Sequence, residues 1–82
     1  MERIEIRQKL NDIFALIVKG TQNVADIDEN SNLVTDLGLN SVGLLYTVIA
    51  IEEFFNMRFD DISLGDLQTV KDVIDYIQSK VD

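Results

Sequence analysis

Eighty-two residues allow one modest core, since a chain this short buries only about 60% of the surface it exposes when unfolded, which suits a binding or carrier module better than an enclosed active site. The absence of cysteine and histidine excludes a disulfide framework and a thiolate zinc site, and removes the commonest general base and the thiol nucleophile. The formal net charge of −8 lies wholly in residues 20–69, where nine acids face the single base Arg58; this region repels nucleic acid and attracts basic patches on other proteins.

The chain opens Met1-Glu-Arg-Ile-Glu-Ile-Arg, without the uninterrupted apolar stretch of a secretory signal, so the expected location is the cytoplasm. From Glu2 to Lys19 the positions Ile6, Leu10, Ile13, Phe14 and Ile17 fall on one face at helical spacing, which predicts a first helix closed by Gly20 as its C-terminal cap. Residues 21–40 are rich in Thr, Asn, Asp and Ser and predict a long loop, with Val24, Ile27, Leu33 and Leu37 as anchors to the core. A loop of that length is uncommon unless it serves a function. It ends in Gly38-Leu39-Asn40-Ser41, where Asn40 or Ser41 caps the next helix.

The second helix is expected from about Ser41 to Asn56. At ~100° per residue, Leu44, Leu45, Val48, Ile51 and Phe55 share one arc, the core face, and Val42, Tyr46, Ile49 and Glu53 share another. The most apolar run, Val42 to Ile51, is far shorter than the roughly 20 residues of a membrane span. Asp60-Asp61-Ile62-Ser63-Leu64-Gly65-Asp66 predicts a loop with one short helical turn. Thr69 to Asp72 reads as a capping box, and Val70, Val73, Ile74 and Ile77 form the buried face of a last helix reaching Gln78. The sum is an all-α protein, a small four-helix bundle of three main helices and one short one, with a long loop between the first two, in a single domain spanning 1–82.

Ser41 stands at a loop-to-helix junction, where free amides and the positive end of the helix dipole favour an anion such as a phosphate. On position alone it is more often a simple N-cap. The surrounding string Leu39-Asn40-Ser41-Val42-Gly43 fails the G-x-S-x-G nucleophile elbow, and without histidine no Ser-His-Asp triad can be assembled. Asp26-Ile-Asp28-Glu-Asn30 opens like a calcium loop, but Ser31 stands where the turn glycine belongs and Leu37 where the bidentate glutamate belongs, so it reads as a solvated acidic loop. The pairs Glu52-Glu53 and Asp60-Asp61 are adjacent in sequence and make a poor acid/base dyad; they solvate the surface or attract a basic partner. The stripe Val42, Tyr46, Ile49 is either the flank of a wide core face or a docking surface.

The string Ser31-Asn-Leu-Val-Thr-Asp36-Leu37-Gly38-Leu39-Asn40-Ser41-Val42, followed by Ala50-Ile51-Glu52-Glu53-Phe54-Phe55 and by Thr69-Val70-Lys71-Asp72-Val73-Ile74-Asp75-Tyr76-Ile77, resembles the acyl carrier protein family over nearly the whole chain. In that family the serine of an Asp-Ser-Leu motif receives 4'-phosphopantetheine from coenzyme A through a separate magnesium-dependent phosphopantetheinyl transferase. By position that serine is Ser41, flanked by Asn40 and Val42. The resemblance implies a carrier rather than an enzyme: the reactive thiol belongs to the prosthetic group and partner enzymes supply the bases. It implies a four-helix bundle that can enclose an acyl chain, and a second helix that meets acyl- or aminoacyl-loading and acyl-transferring enzymes through Val42, Tyr46, Ile49, Glu52 and Glu53. No metal site, no nucleic-acid partner and no membrane span are expected, and the chain is expected to be a monomer.

Four departures from the family pattern carry meaning. Asn40 replaces the usual aspartate and Val42 the usual leucine, keeping the capping ability and the apolar character. Gly43 and Tyr46 stand where carriers of fatty acid synthesis commonly have acids, which suggests docking more by burial than by charge and a pathway other than housekeeping fatty acid synthesis. The rival reading, from a different class, is an unmodified helical adaptor that binds proteins through the second helix with Ser41 as a plain cap.

Overall fold

The structure, a computed structural model, describes residues 2–17 and 28–81. The expectations placed on Lys19, Gly20, Val24, Asp26 and Ile27 lie outside the described residues. Among the described residues there are three helices, α1 (Arg3–Ile17), α2 (Ser41–Phe55) and α3 (Val70–Val81), with a short 3-10 turn at Leu64–Asp66. This is the expected all-α bundle, with the fourth element reduced to a single turn. The turn is built locally: the Ser63 amide and hydroxyl both donate to Asp66 Oδ2, at 3.4 and 3.1 Å.

α1 and α3 pack as their spacing demands. Ile6, Leu10, Ile13 and Phe14 are buried on α1, and Val70, Val73, Ile74 and Ile77 on α3. Ile17 is only partly buried against them. The capping box at the start of α3 forms as expected, since Thr69 N donates to Asp72 Oδ2 at 3.1 Å and Asp72 N to Thr69 Oγ1 at 3.2 Å.

One part of the expected core face of α2 is corrected. Leu45 is 49% exposed, and Thr47, at 2%, occupies the interior with Leu44, Val48, Ile51 and Phe55. Thr47 can be buried because its hydroxyl donates to the Gly43 carbonyl one turn earlier, 2.8 Å away, so no polar group is stranded. Val42, Tyr46 and Ile49 are 59, 63 and 45% exposed, so they are not the flank of the core. α2 ends at Phe55 because Asn56 turns left-handed, with φ 54°, and Met57 N closes on the Glu52 carbonyl.

Residues 28–39 are tied to the start of α3 by main-chain bonds. Leu33 N donates to Gln68 O, Val70 N to Ser31 O and Lys71 N to Glu29 O, with one isolated antiparallel bridge between Asn32 and Thr69. The turn within this segment is closed by side chains: Asn32 Oδ1 accepts from Val34 N and Thr35 N, and Asp36 Oδ2 accepts from Asn32 N. Gly38, at φ 76°, supplies the left-handed residue that redirects the chain into α2. Leu33 and Leu37 are anchors as expected, and Leu39 is a third.

The acidic residues of this fold are partly spoken for. Arg3 bridges Glu29 (2.6 Å) and Asp75 (2.8 Å), clasping α1, the loop and α3, while Lys71 adds a second bond to Asp75. These contacts hold the carboxyls of Glu29 and Asp75 below their ordinary range, through the hydrogen bond from Arg3 in the first case and from Lys71 and then Arg3 in the second. At the other end, Tyr76 stacks on Phe59 at 4.8 Å and its hydroxyl donates to Asp61, which also pairs with Lys80. Asp61 and Glu29 therefore fasten the fold rather than simply solvating it.

Candidate functional site

Ser41 is the first residue of α2 and lies exposed. The capping duty falls to Asn40, whose extended backbone (φ −93°, ψ −174°) aims its Oδ1 at Gly43 N, 2.8 Å away, while its carbonyl accepts from Leu44 N. The view of Ser41 as a cap therefore fails, and among the described residues nothing bonds its hydroxyl. The amides of Ser41 and Val42 open the helix and have no preceding turn to bond to, so an anion carried on Ser41 would meet free donors and the positive end of the dipole.

Beside Ser41 runs an open groove of about 590 Å³. Leu39, Asn40, Ser41 and Leu44 form one end, Asn32, Val34 and Thr35 one wall, and Leu64, Gly65, Leu67 and Gln68 the other. None of its lining residues is charged. Sequence reasoning missed Leu39, Leu64, Gly65 and Leu67 here. They come from two stretches without periodicity that are joined by main-chain bonds such as Leu33 N to Gln68 O, and no local signal announces such a pairing.

The other candidate residues lie on the outward side of α2. Val42, Tyr46, Ile49 and Glu53 are exposed on one face, and Leu45 joins its edge. Glu52 differs from Glu53: it is partly buried and its Oε2 accepts from Phe59 N at 2.8 Å, bracing the chain after the helix. A second hollow, about 350 Å³, lies beyond this face at the end of α2, between Ile49, Glu52, Glu53, Asn56, Met57 and Arg58. The structure thus brings Asn40, Ser41 and Val42 together at the head of α2 and spreads Tyr46, Ile49 and Glu53 along the same helix. Among the described residues no cluster of His, Cys, Asp or Glu could hold a metal ion, and no helix is long and apolar enough to cross a membrane.

Ser41 thus stands exposed at the start of a helix, beside a groove with no charged residue in its described lining. Residues 5–77 match the family model described as a phosphopantetheine attachment site. The acyl carrier protein of Coprothermobacter proteolyticus is 38% identical over 99% of this chain and 96% of its own length, and that of Phytoplasma mali is 36% identical over 94 and 89%. A solved structure, the apo doublet acyl carrier protein from prodigiosin biosynthesis, superposes with a TM-score of 0.75 at 26% identity, covering 98% of this chain. This chain spans only 38% of that longer one.

The chain belongs to the acyl carrier proteins. It is accordingly a carrier and not a catalyst, it bears a covalently attached 4'-phosphopantetheine, and it works with a phosphopantetheinyl transferase and acyl-handling enzymes. That membership favours the carrier over the unmodified adaptor. The residues present fit the prosthetic group: a hydroxyl free of cap duty, unfilled amides beside it, and an uncharged groove within the same site.

Proposed function

We propose that Ser41 is the attachment residue and that the protein carries acyl groups on a 4'-phosphopantetheine arm joined there as a phosphodiester. The observation that carries this reading is the division of labour at the head of α2: Asn40 caps the helix and leaves the Ser41 hydroxyl exposed and unbonded. When bound, the group supplies a terminal thiol that holds the acyl chain as a thioester. Ser41 and Val42 present their amides to the phosphodiester, and the groove shields part of the arm or its cargo from water. The absence of a carboxylate in that groove favours an uncharged acyl group over an aminoacyl group, whose ammonium would find no partner.

The outward face of α2, with Val42, Tyr46, Ile49 and Glu53, supports docking of the transferase and the acyl-handling enzymes, and Glu52 contributes charge there while bracing Phe59. No acid stands in the first turn of α2 and apolar side chains dominate the exposed face, which supports partners that bury apolar surface and a pathway other than housekeeping fatty acid synthesis. Replacing Tyr46 by Glu and measuring loading by fatty-acid enzymes tests the last point, since no improvement counts against it. A monomer in the cytoplasm completes the proposal.

The central test is intact-protein mass after incubation with coenzyme A, magnesium and a broad-specificity phosphopantetheinyl transferase, beside Ser41→Ala. A gain of one phosphopantetheine that the variant lacks is the expected result. A gain in both proteins places the attachment elsewhere.

A further inference from the structure

Glycine in the first turn of a helix costs up to about 1 kcal/mol relative to alanine, so a glycine there calls for a local cause. At Gly43 the cause is visible. A Cβ built on it would lie 3.2 Å from Leu39 Cδ2 and 3.5 Å from the capping Asn40 Oδ1. Leu39 thus lies across the bare backbone of α2, 5% exposed, with its own amide held by the Leu33 carbonyl. The same Leu39 lines the Ser41 end of the groove.

We propose that Gly43 is a positioning residue for cargo: by leaving room for Leu39, it sets the depth of the groove beside Ser41 and so the length of acyl chain held there. The inference rests on the reading that the groove takes the acyl chain. A Cβ at position 43 sits tighter against Leu39 Cδ2 than an ordinary contact, so Leu39 must give by a few tenths of an ångström. Leu39 belongs to the same buried cluster as Leu33, Leu37 and Leu44, each at most 7% exposed, and a packed core yields little. Open space lies in the groove that Leu39 lines, so a small shift of Leu39 toward it narrows what an acyl chain would use. Position 43 then governs more than the charge of the docking face: an acid placed there would alter the groove at the same time.

The test is a set of acylated carriers made with the transferase from acetyl, hexanoyl and decanoyl coenzyme A, each compared by urea unfolding with its own holo form. The wild type is expected to gain stability with chain length, and a flat wild-type series removes the groove reading and this inference with it. In Gly43→Ala the decanoyl gain in the unfolding constant is expected to fall, by less than the about fourfold that a whole buried methylene is worth, with the acetyl form unchanged. The double variant Gly43→Ala, Leu39→Val is expected to recover it, because shortening Leu39 returns the space. A wild type that responds to chain length beside a Gly43→Ala variant with the same gain overturns the role of Gly43 alone, as does a double variant that recovers nothing.

Discussion

The two faces of α2 have similar apolar content and opposite fates. Leu44, Val48, Ile51 and Phe55 are at most 8% exposed, whereas Val42, Leu45, Tyr46 and Ile49 are 45 to 63% exposed. Apolar residues that gain nothing from the core are a solubility burden unless another molecule covers them. The inner face therefore makes the fold, and the outer face is the one proposed to meet partners. The most forceful way to break this division is at its centre: Ile51→Ala, at a site 1% exposed, is expected to cost about 2–5 kcal/mol in urea unfolding through lost burial and the cavity left behind. A cost below about 1 kcal/mol would mean that the inner face is not what holds the helix.

The head of α2 sharpens the same contrast within two adjacent residues. Asn40→Ala removes the acceptor of Gly43 N and is expected to cost about 0.5–2 kcal/mol. Ser41→Ala removes an exposed hydroxyl with no bonded partner among the described residues and is expected to stay within about 0.5 kcal/mol while abolishing the mass gain. Reversed stabilities would return the capping role to Ser41.

The helices were legible in the sequence because each carries a repeat that only a helix satisfies, clearest in Ile6-Leu10-Ile13-Phe14 and Val70-Val73-Ile74-Ile77. The helix that matters most was read least well. α2 is apolar on nearly every side, SVGLLYTVIAIEEFF, so periodicity could not choose between Leu45 and Thr47 for the interior. The choice depended on a hydroxyl finding the Gly43 carbonyl, a fact of three dimensions. Ser41, whose attachment role is a proposal, was singled out by its place before a helix and by family resemblance. The groove was not, because Val34, Leu64 and Leu67 meet only once Leu33 bonds to Gln68.

Away from α2, Arg3 tests whether burial alone secures the functional loop. Its guanidinium joins Glu29 and Asp75 and takes a further bond to Gln78, and both carboxyls are held below their ordinary range. A carboxylate with a lowered folded pKa stabilises above its unfolded pKa, and the contribution is lost as pH falls through the folded value. These pairs are about a third exposed or more, so solvent screens them and Arg3→Gln is expected to cost no more than about 1 kcal/mol at neutral pH. Wild-type and variant stabilities are expected to converge as pH falls below the ordinary carboxylate range of about 3.9–4.3. Parallel curves at every pH would show that the clasp contributes by packing, not charge.

The smallest expected change in stability lies at the centre of the outer face. Tyr46 is 63% exposed, so Tyr46→Ser removes little buried surface and is expected to leave unfolding within about 0.5 kcal/mol. Its effect belongs in the encounter with a partner. Aromatic side chains that become buried in an interface commonly carry more than 1 kcal/mol of binding, so the rate of phosphopantetheine transfer or of acyl loading by the native partner is expected to fall by about fivefold or more at limiting carrier concentration. A loss of stability with unchanged transfer would assign Tyr46 to the fold and shrink the docking face to Val42, Ile49 and Glu53. Unchanged stability and unchanged transfer would move docking off this part of α2, toward the hollow between Glu53 and Arg58 where the helix ends.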